Sequence, residues 1–251
     1  PCGTTGESAT LSHEEHNRVI ELTVEIVNRR VPVIAGTGSN STDEAIALTR
    51  HAKQAGADGA LLITPYYNKP TQEGLYRHYK AVAESVDLPL VLYNIPGRTG
   101  VNMLPSTIAR LSAIKTIVGV KEGSGSVQQA SDIVQLCGDR LTVLAGDDSL
   151  TLPMMAVGGK GVITVTANIV PAEMAALVNA FSSGNIAEAQ RIHFKLSPLF
   201  AALFFETNPI PVKEALGMMG KIDPELRLPL CSMAQDTREK LVRALKDAKL
   251  I

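Results

Sequence analysis

No uninterrupted apolar stretch in this sequence approaches the roughly 20 residues that a bilayer crossing requires. Basic residues form no run either. Lys and Arg are scattered through the helical segments, the formal net charge is -1 and the pI is near 6.6, so nothing electrostatic points to nucleic acid. Cysteine is scarce. Cys2, Cys137 and Cys231 are odd in number, far apart and without a CxxC or metal-ligand spacing, which suits a reducing cytoplasm and inert thiols. The chain opens with neither Met nor a signal-peptide pattern. Its start, "PCGTTGES", reads as the last residues of a strand running into a loop, and an upstream segment is expected to be missing.

What is present is apolar in repeating pieces. Hydrophobic residues make up 45% of the 251 residues and charged ones 20%. That is enough for a sizeable core, and the length suits a single α/β barrel, which commonly needs about 250 residues. Runs rich in Val, Ile and Leu recur: "VPVIAGTG" from 31, "GALLITP" from 59, "LPLVLYN" from 88, "IVGVKEG" from 117, "LTVLAGDD" from 141 and "GVITVTAN" from 161. Their starts lie about 20 to 29 residues apart, the length of a strand plus a crossover helix. Continuous rather than alternating hydrophobicity implies strands covered on both faces, as in a parallel sheet. The segments between them switch to helical periodicity. Ser12 with Glu15, Ser41 with Glu44, and Ser126 with Gln129 repeat the capping-box spacing at three helix starts.

Six runs and a stub at residues 1–3 do not close an eight-stranded barrel. A further strand, a helix and the start of the next strand would complete it. Residues 171–251 read as wholly helical, so the expected architecture is α/β: a (β/α)8 TIM barrel over 1–184, lacking its first strand and helix, and a C-terminal helical domain over 185–251.

In such barrels chemistry gathers at the carboxyl ends of the strands. Those positions supply Thr4 and Thr5, Tyr66 and Tyr67, Tyr93 and Arg98, Lys121, then Gly146, Asp147 and Asp148, and last Ile163 and Thr164. His13, His16, His51, His78 and His193 all fall in helical segments. That leaves only the Asp147–Asp148 pair for a metal, and adjacent carboxylates more often cap the next helix, so no metal site is expected. "GTGSNS" at 36–41 lacks the third glycine of a dinucleotide fingerprint.

Lys121 closes an apolar strand. A lysine there ordinarily points into water. Held instead in a dry pocket, its amine loses the ammonium form more easily and becomes a nucleophile able to form a Schiff base near neutral pH. Arg98 offers a planar fork suited to a carboxylate, although in "PGRTG" it can equally be a turn residue paired with a helix. Tyr93 can shuttle a proton if hydrogen-bonded neighbours help its phenol, and Tyr67 with Thr4 or Thr5 are the candidates; core packing is the plainer alternative.

"GTTGES", "TPYYNKP", "YNIPGRTG", "GVKEGSG" and "AGDDS", in that order on successive strands, resemble the 4-hydroxy-tetrahydrodipicolinate synthase (dihydrodipicolinate synthase) family over essentially the whole chain. The resemblance implies a cofactor-free condensation of pyruvate with L-aspartate 4-semialdehyde on the route to lysine. Lys121 would be the Schiff-base lysine and Tyr93 the central proton relay. Thr4 would assist, as would Tyr67 reaching in from a neighbouring subunit. Thr5 would hold the pyruvate carboxylate and Arg98 the semialdehyde's, with Gly146 and the Ile163 carbonyl lining the pocket. Ser8, Ala9, His13, His16, Asn40, Glu44 and Tyr66 match the family's feedback site for L-lysine, which implies a homodimer or homotetramer. A solvated helix face is the plain reading of His13 and His16 taken alone. Two rivals remain: another lyase of the superfamily, such as N-acetylneuraminate lyase or a 2-keto-3-deoxy sugar acid aldolase, and a non-catalytic ligand-binding barrel with a structural Lys121.

Overall fold

The computed structural model describes residues 1–251. Its six strands form one parallel sheet in sequence order: β1 (Ile34–Gly36), β2 (Gly59–Ile63), β3 (Leu90–Asn94), β4 (Ile117–Glu122), β5 (Thr142–Ala145) and β6 (Gly161–Val162). Every apolar run becomes a strand. Helix α1 (His13–Val27) precedes β1, and α2 (Thr42–Ala55) and α3 (Gln72–Ser85) follow β1 and β2. Then α4 (Pro96–Thr99) and α5 (Pro105–Leu111) join β3 to β4, α6 (Val127–Cys137) joins β4 to β5, and α7 (Thr151–Ala156) joins β5 to β6. Residues 1–3 form no strand; the Pro1 carbonyl alone joins the sheet, accepting from Gly36 N at 2.9 Å.

After β6 come α8 (Pro171–Ser182), α9 (Ile186–Ala202), α10 (Ile210–Met218) and α11 (Gln235–Asp247). The region is not wholly helical. Residues 219–234 carry no helix, because Pro224 and Pro229 each lack an amide hydrogen and restrict the residue before them. A core cluster of 17 buried residues unites α8 to α11 with Val165, Ile169 and Val170, while a separate cluster of 23 lies between the sheet and helices α2, α3, α5 and α6.

The three expected helix caps divide. Ser12 and Glu15 make a full capping box at α1. At α2 and α6 only half of it forms: Ser41 and Ser126 accept from the backbone of Glu44 and Gln129, but the side chains of those two residues turn elsewhere, to partners described below.

Which face each strand residue occupies is set by one irregularity. Leu90 pairs with Ile117, but Val91 pairs with Gly119, so Val118 is an extra residue in β4. Leu62, Leu90, Leu92, Ile117 and Val120 all belong to the helix-side core. Beyond the bulge, Gly119 stands with Val91 and Lys121 with Tyr93 on the opposite, inner face. Side chains alternate strictly along a strand, so an unbulged β4 would send Lys121 into the helix-side core and Glu122 inward. The bulge reverses that phase. Gly119 suits the spot, since a Cβ there would meet the Thr142 carbonyl oxygen at 3.2 Å.

Two substitutions separate the faces. Leu92→Ala, at a fully buried position, should lower unfolding free energy by about 3 kcal/mol. Val118→Ala, at a residue 40% exposed, should change it by under ~1 kcal/mol. Urea unfolding checks both, and equal losses would contradict the face assignment.

Candidate active site

The carboxyl ends of β3 and β4 bring Tyr93 and Lys121 together. The Lys121 amine sits 4.2 Å from the centre of the Tyr93 ring. The Tyr93 carbonyl is pinned from the neighbouring strand, accepting from Thr64 N at 2.8 Å and Thr64 Oγ1 at 2.8 Å. Behind Lys121 the strand ends approach tightly: Gly123 N donates to Asn94 O at 2.8 Å and Gly146 N to Glu122 O at 2.7 Å. A Cβ on Gly146 would fall 2.9 Å from Gly123 Cα. Gly146 thus serves close backbone approach, and Ile163 continues the same rim, its N donating to Ala145 O at 3.0 Å.

Burial drives the Lys121 pKa down to about 8; Asp148 pulls it back up and Arg98 pushes it further down. The neutral amine is therefore far better populated near physiological pH than on a solvated lysine, although the ammonium form still predominates. Tyr93, 5% exposed, is shifted the other way by the same burial, which favours the neutral phenol, while the Thr4 hydroxyl and Arg98 lower it. Asp148 was expected to cap a helix. Its neighbour Asp147 does so, accepting from Ser149 N at 2.9 Å, but Asp148 turns inside and accepts from Val165 N at 3.2 Å, Thr166 N at 2.8 Å and Thr166 Oγ1 at 2.6 Å. The loop after β6 thus fixes the carboxyl group that raises the lysine's pKa.

Asn208, before α10, was not singled out in the sequence. It is buried, its Nδ2 donates to Thr5 Oγ1 at 3.1 Å, and its carbonyl accepts from Arg98 Nη2 at 2.8 Å. The helical region therefore forms a wall of the site and fixes both Thr5 and Arg98. Its sequence signal, an Asn between "FFET" and "PIP" some 87 residues beyond Lys121, carries no motif of its own.

A cavity of about 470 Å³ runs past Thr4, Tyr93 and Arg98 to Ser8, Ala9, His13, His16, Glu44 and Tyr66. The two histidines divide: His16 is buried with Nε2 donating to the Gly36 carbonyl at 2.9 Å, whereas His13 is exposed, with Nε2 donating to Glu44 Oε1 at 2.7 Å. Glu44, diverted from its helix cap, also accepts from Ser39, which with His13 holds its carboxyl below the usual range against the effect of burial. Burial pushes the Tyr66 phenol up. Asn40 stands nearby, its carbonyl accepting from Asn68 Nδ2 at 2.9 Å. Tyr67 is apart from this group: with φ 71° and 89% exposure it projects from the loop after β2 and does not line the cavity.

The loop bearing Thr4, Thr5, Ser8 and Ala9 is tied to the helical region by charge. Glu7 accepts from Lys213 Nζ and from Arg227 N at 3.0 Å, and the Arg227 guanidinium binds Glu15 bidentately at 2.6 and 2.7 Å. No three His, Cys, Asp or Glu side chains gather closely enough to hold a metal ion.

A dry amine of this kind can attack a keto carbonyl at neutral pH, which a solvated lysine does poorly. A parallel sheet with such an amine at its carboxyl end suits a lyase that works through a lysine. The chain belongs to the dihydrodipicolinate synthetase family, whose model matches residues 1–248. It is 64% identical over 251 residues to the 4-hydroxy-tetrahydrodipicolinate synthase of Geotalea daltonii, covering 100% of this chain and 87% of that protein. The chloride-inhibited dihydrodipicolinate synthase of Acinetobacter baumannii, solved with pyruvate, is 50% identical with a TM-score of 0.98, over 100% of this chain and 86% of that one. The Cyanidioschyzon merolae enzyme solved with lysine bound is 41% identical with a TM-score of 0.96, over 100% of this chain and 85% of that one.

The lowered lysine pKa carries a stability consequence. Between about pH 8 and the ordinary 10.5, the unfolded chain holds a proton on Lys121 that the folded chain lacks. Its contribution to stability therefore improves as pH rises through that window and is least favourable below about pH 8. Lys121→Met should raise unfolding free energy at pH 7 by about 2 kcal/mol, the gain shrinking toward pH 10. Urea titrations across that range check it; equal stability at pH 7 would mean that water reaches the amine.

Proposed function

We propose that this protein is a lyase that condenses pyruvate with L-aspartate 4-semialdehyde to 4-hydroxy-tetrahydrodipicolinate, the first committed step of diaminopimelate and lysine biosynthesis. The Lys121 amine stacked on Tyr93 in a dry site is the observation that carries this reading. The neutral amine adds to the pyruvate ketone, and loss of water leaves a protonated imine. That imine draws electrons from the methyl carbon, so the reading calls for no cofactor. A methyl proton leaves through the Tyr93 phenol and Thr4, giving an enamine whose carbon attacks the semialdehyde aldehyde. The semialdehyde's own amine then adds to the imine carbon and displaces Lys121 as the ring closes. Thr5 holds the pyruvate carboxylate, Arg98 receives the second substrate's carboxylate, and Gly146 with the Ile163 carbonyl lines the pocket.

L-Lysine is the feedback inhibitor in this reading, bound beside Ser8, Ala9, His13, His16, Asn40, Glu44 and Tyr66. The shared cavity and the ionised Glu44 support that role. Tyr67, exposed in one chain, completes the proton relay of a second copy in a homodimer or homotetramer. The six parallel strands belong to a (β/α)8 barrel. Three free thiols, two of them buried, support a cytoplasmic setting.

Borohydride reduction in the presence of pyruvate should leave a covalent adduct on Lys121 by peptide mass mapping, at a rate rising with pH through about 8. An unmodified Lys121 in folded protein overturns the reading. For the regulatory site, Glu44→Gln should weaken L-lysine binding at least ~10-fold by calorimetry, since a charge-assisted partner is lost; unchanged affinity would remove Glu44 from that site.

A further inference from the structure

The helix-side face of β3 and β4 changes character at its top. Leu92 and Val120 pair there as apolar core, and one step on, Asn94 pairs with Glu122. Both are 0% exposed. A fully buried carboxylate is costly, and apolar residues in its place would often stabilise a fold as well or better. Something other than core packing must explain this one.

Its contacts are specific. Glu122 Oε1 accepts from Ser124 N at 2.6 Å, and Oε2 accepts from Asn94 Nδ2 at 3.1 Å and Gln129 Nε2 at 3.0 Å. All three partners are donors, so a carboxylate answers each. Asn94 in turn accepts on Oδ1 from Met103 N at 2.9 Å and donates from Nδ2 to Asn102 Oδ1 at 2.8 Å. Asn102 Nδ2 donates to Gln129 Oε1 at 2.8 Å. This is where the Gln129 side chain goes instead of closing its capping box. The network joins β3, β4, the loop after each and the start of α6, and it lies directly behind the reactive pair. Tyr93 and Lys121 precede Asn94 and Glu122 by one residue and face the other way.

We propose that the Asn94–Glu122 pair is a positioning clamp, locking the carboxyl ends of β3 and β4 together from the helix side so that the Lys121 amine stays against the Tyr93 ring. The inference rests on the Schiff-base reading of Lys121 and deepens it. Strand ends in a parallel sheet diverge into separate loops, and the backbone ladder alone ties these two at Gly123 N to Asn94 O. The side-chain network adds a second layer of attachment at the level where ångström misplacement of a nucleophile weakens its attack most. Neither residue touches substrate; each acts through its neighbour.

The test uses the full chain and reads borohydride trapping of pyruvate on Lys121. Glu122→Gln sets an amide N–H2 among donors only. Trapping at saturating pyruvate should fall at least ~10-fold, with the half-saturating pyruvate concentration within about twofold of the parent's. Glu122→Gln combined with Asn94→Asp returns an acceptor on β3 opposite a donor on β4 and should bring trapping back to within about threefold of the parent. A merely structural role lowers the unfolding midpoint but leaves the trapping rate of folded protein unchanged. Parent-like trapping in Glu122→Gln, or a double variant no faster than that single one, overturns the clamp. If Glu122→Gln does not fold, Glu122→Asp decides, since it keeps the charge but shortens the reach. A fall of at least ~3-fold at saturation then supports the clamp and a parent-like rate overturns it. Absence of any adduct in the parent sinks the Schiff-base reading and the clamp with it, whereas equal adducts in parent and variants sink the clamp alone.

Discussion

One extra residue in one strand governs the chemistry of this molecule. The bulge at Val118 switches the alternation of β4, so that Ile117 faces the helices while Lys121, four residues on, faces inward beside Tyr93. Without that phase change the amine would enter a packed apolar core, out of reach of the Tyr93 phenol, and Glu122 would stand on the inner face in its place. With it, the same strand end delivers two charged-type residues to opposite faces: an amine whose ammonium form is disfavoured, and a carboxylate whose oxygens meet donors alone. Each is costly to bury by itself. The sheet keeps them on separate faces and gives each its own surroundings.

The larger plan of the fold could be read in the sequence because it rests on bulk hydrophobicity. Uniform apolar runs at crossover spacing yielded all six strands, and the motifs at their ends named Lys121, Tyr93, Arg98 and Thr4 as neighbours. What escaped was whatever depends on a single contact. The bulge left only Gly119 as a sign, an isolated glycine within a strand pattern. Two of the three capping boxes form only by half because Glu44 and Gln129 have a second use for their side chains, one beside His13 and the other on Glu122. Local rules gave way at the functional sites, as a sequence serving two demands at one residue requires. The partners of Asp148, named only as a strand-end carboxylate, and Asn208 itself escaped for a different reason: those contacts lie far along the chain or in the loop after the next strand. The loop at 219–234 lies between two helically periodic segments, and only Pro224 and Pro229 mark it in the sequence.

The opening loop borders two parts of one cavity. Thr4 stands beside Tyr93, while Ser8 and Ala9, one turn later, border the group around Glu44. Glu7 lies between them in a left-handed conformation, φ 52°, held by Lys213 and the Arg227 backbone. The Thr4 end and the Ser8–Ala9 end of the cavity are thereby joined by a few residues of covalent chain rather than by a long relay of side chains.

Asn208 makes the helical region more than an appendage. Its carbonyl anchors the Arg98 guanidinium and its amide meets Thr5, so both side chains take their orientation from a residue that follows α9. Anyone grafting this sheet onto another scaffold, or exchanging its tail, would carry over the Lys121–Tyr93 pair but leave Arg98 and Thr5 without their moorings.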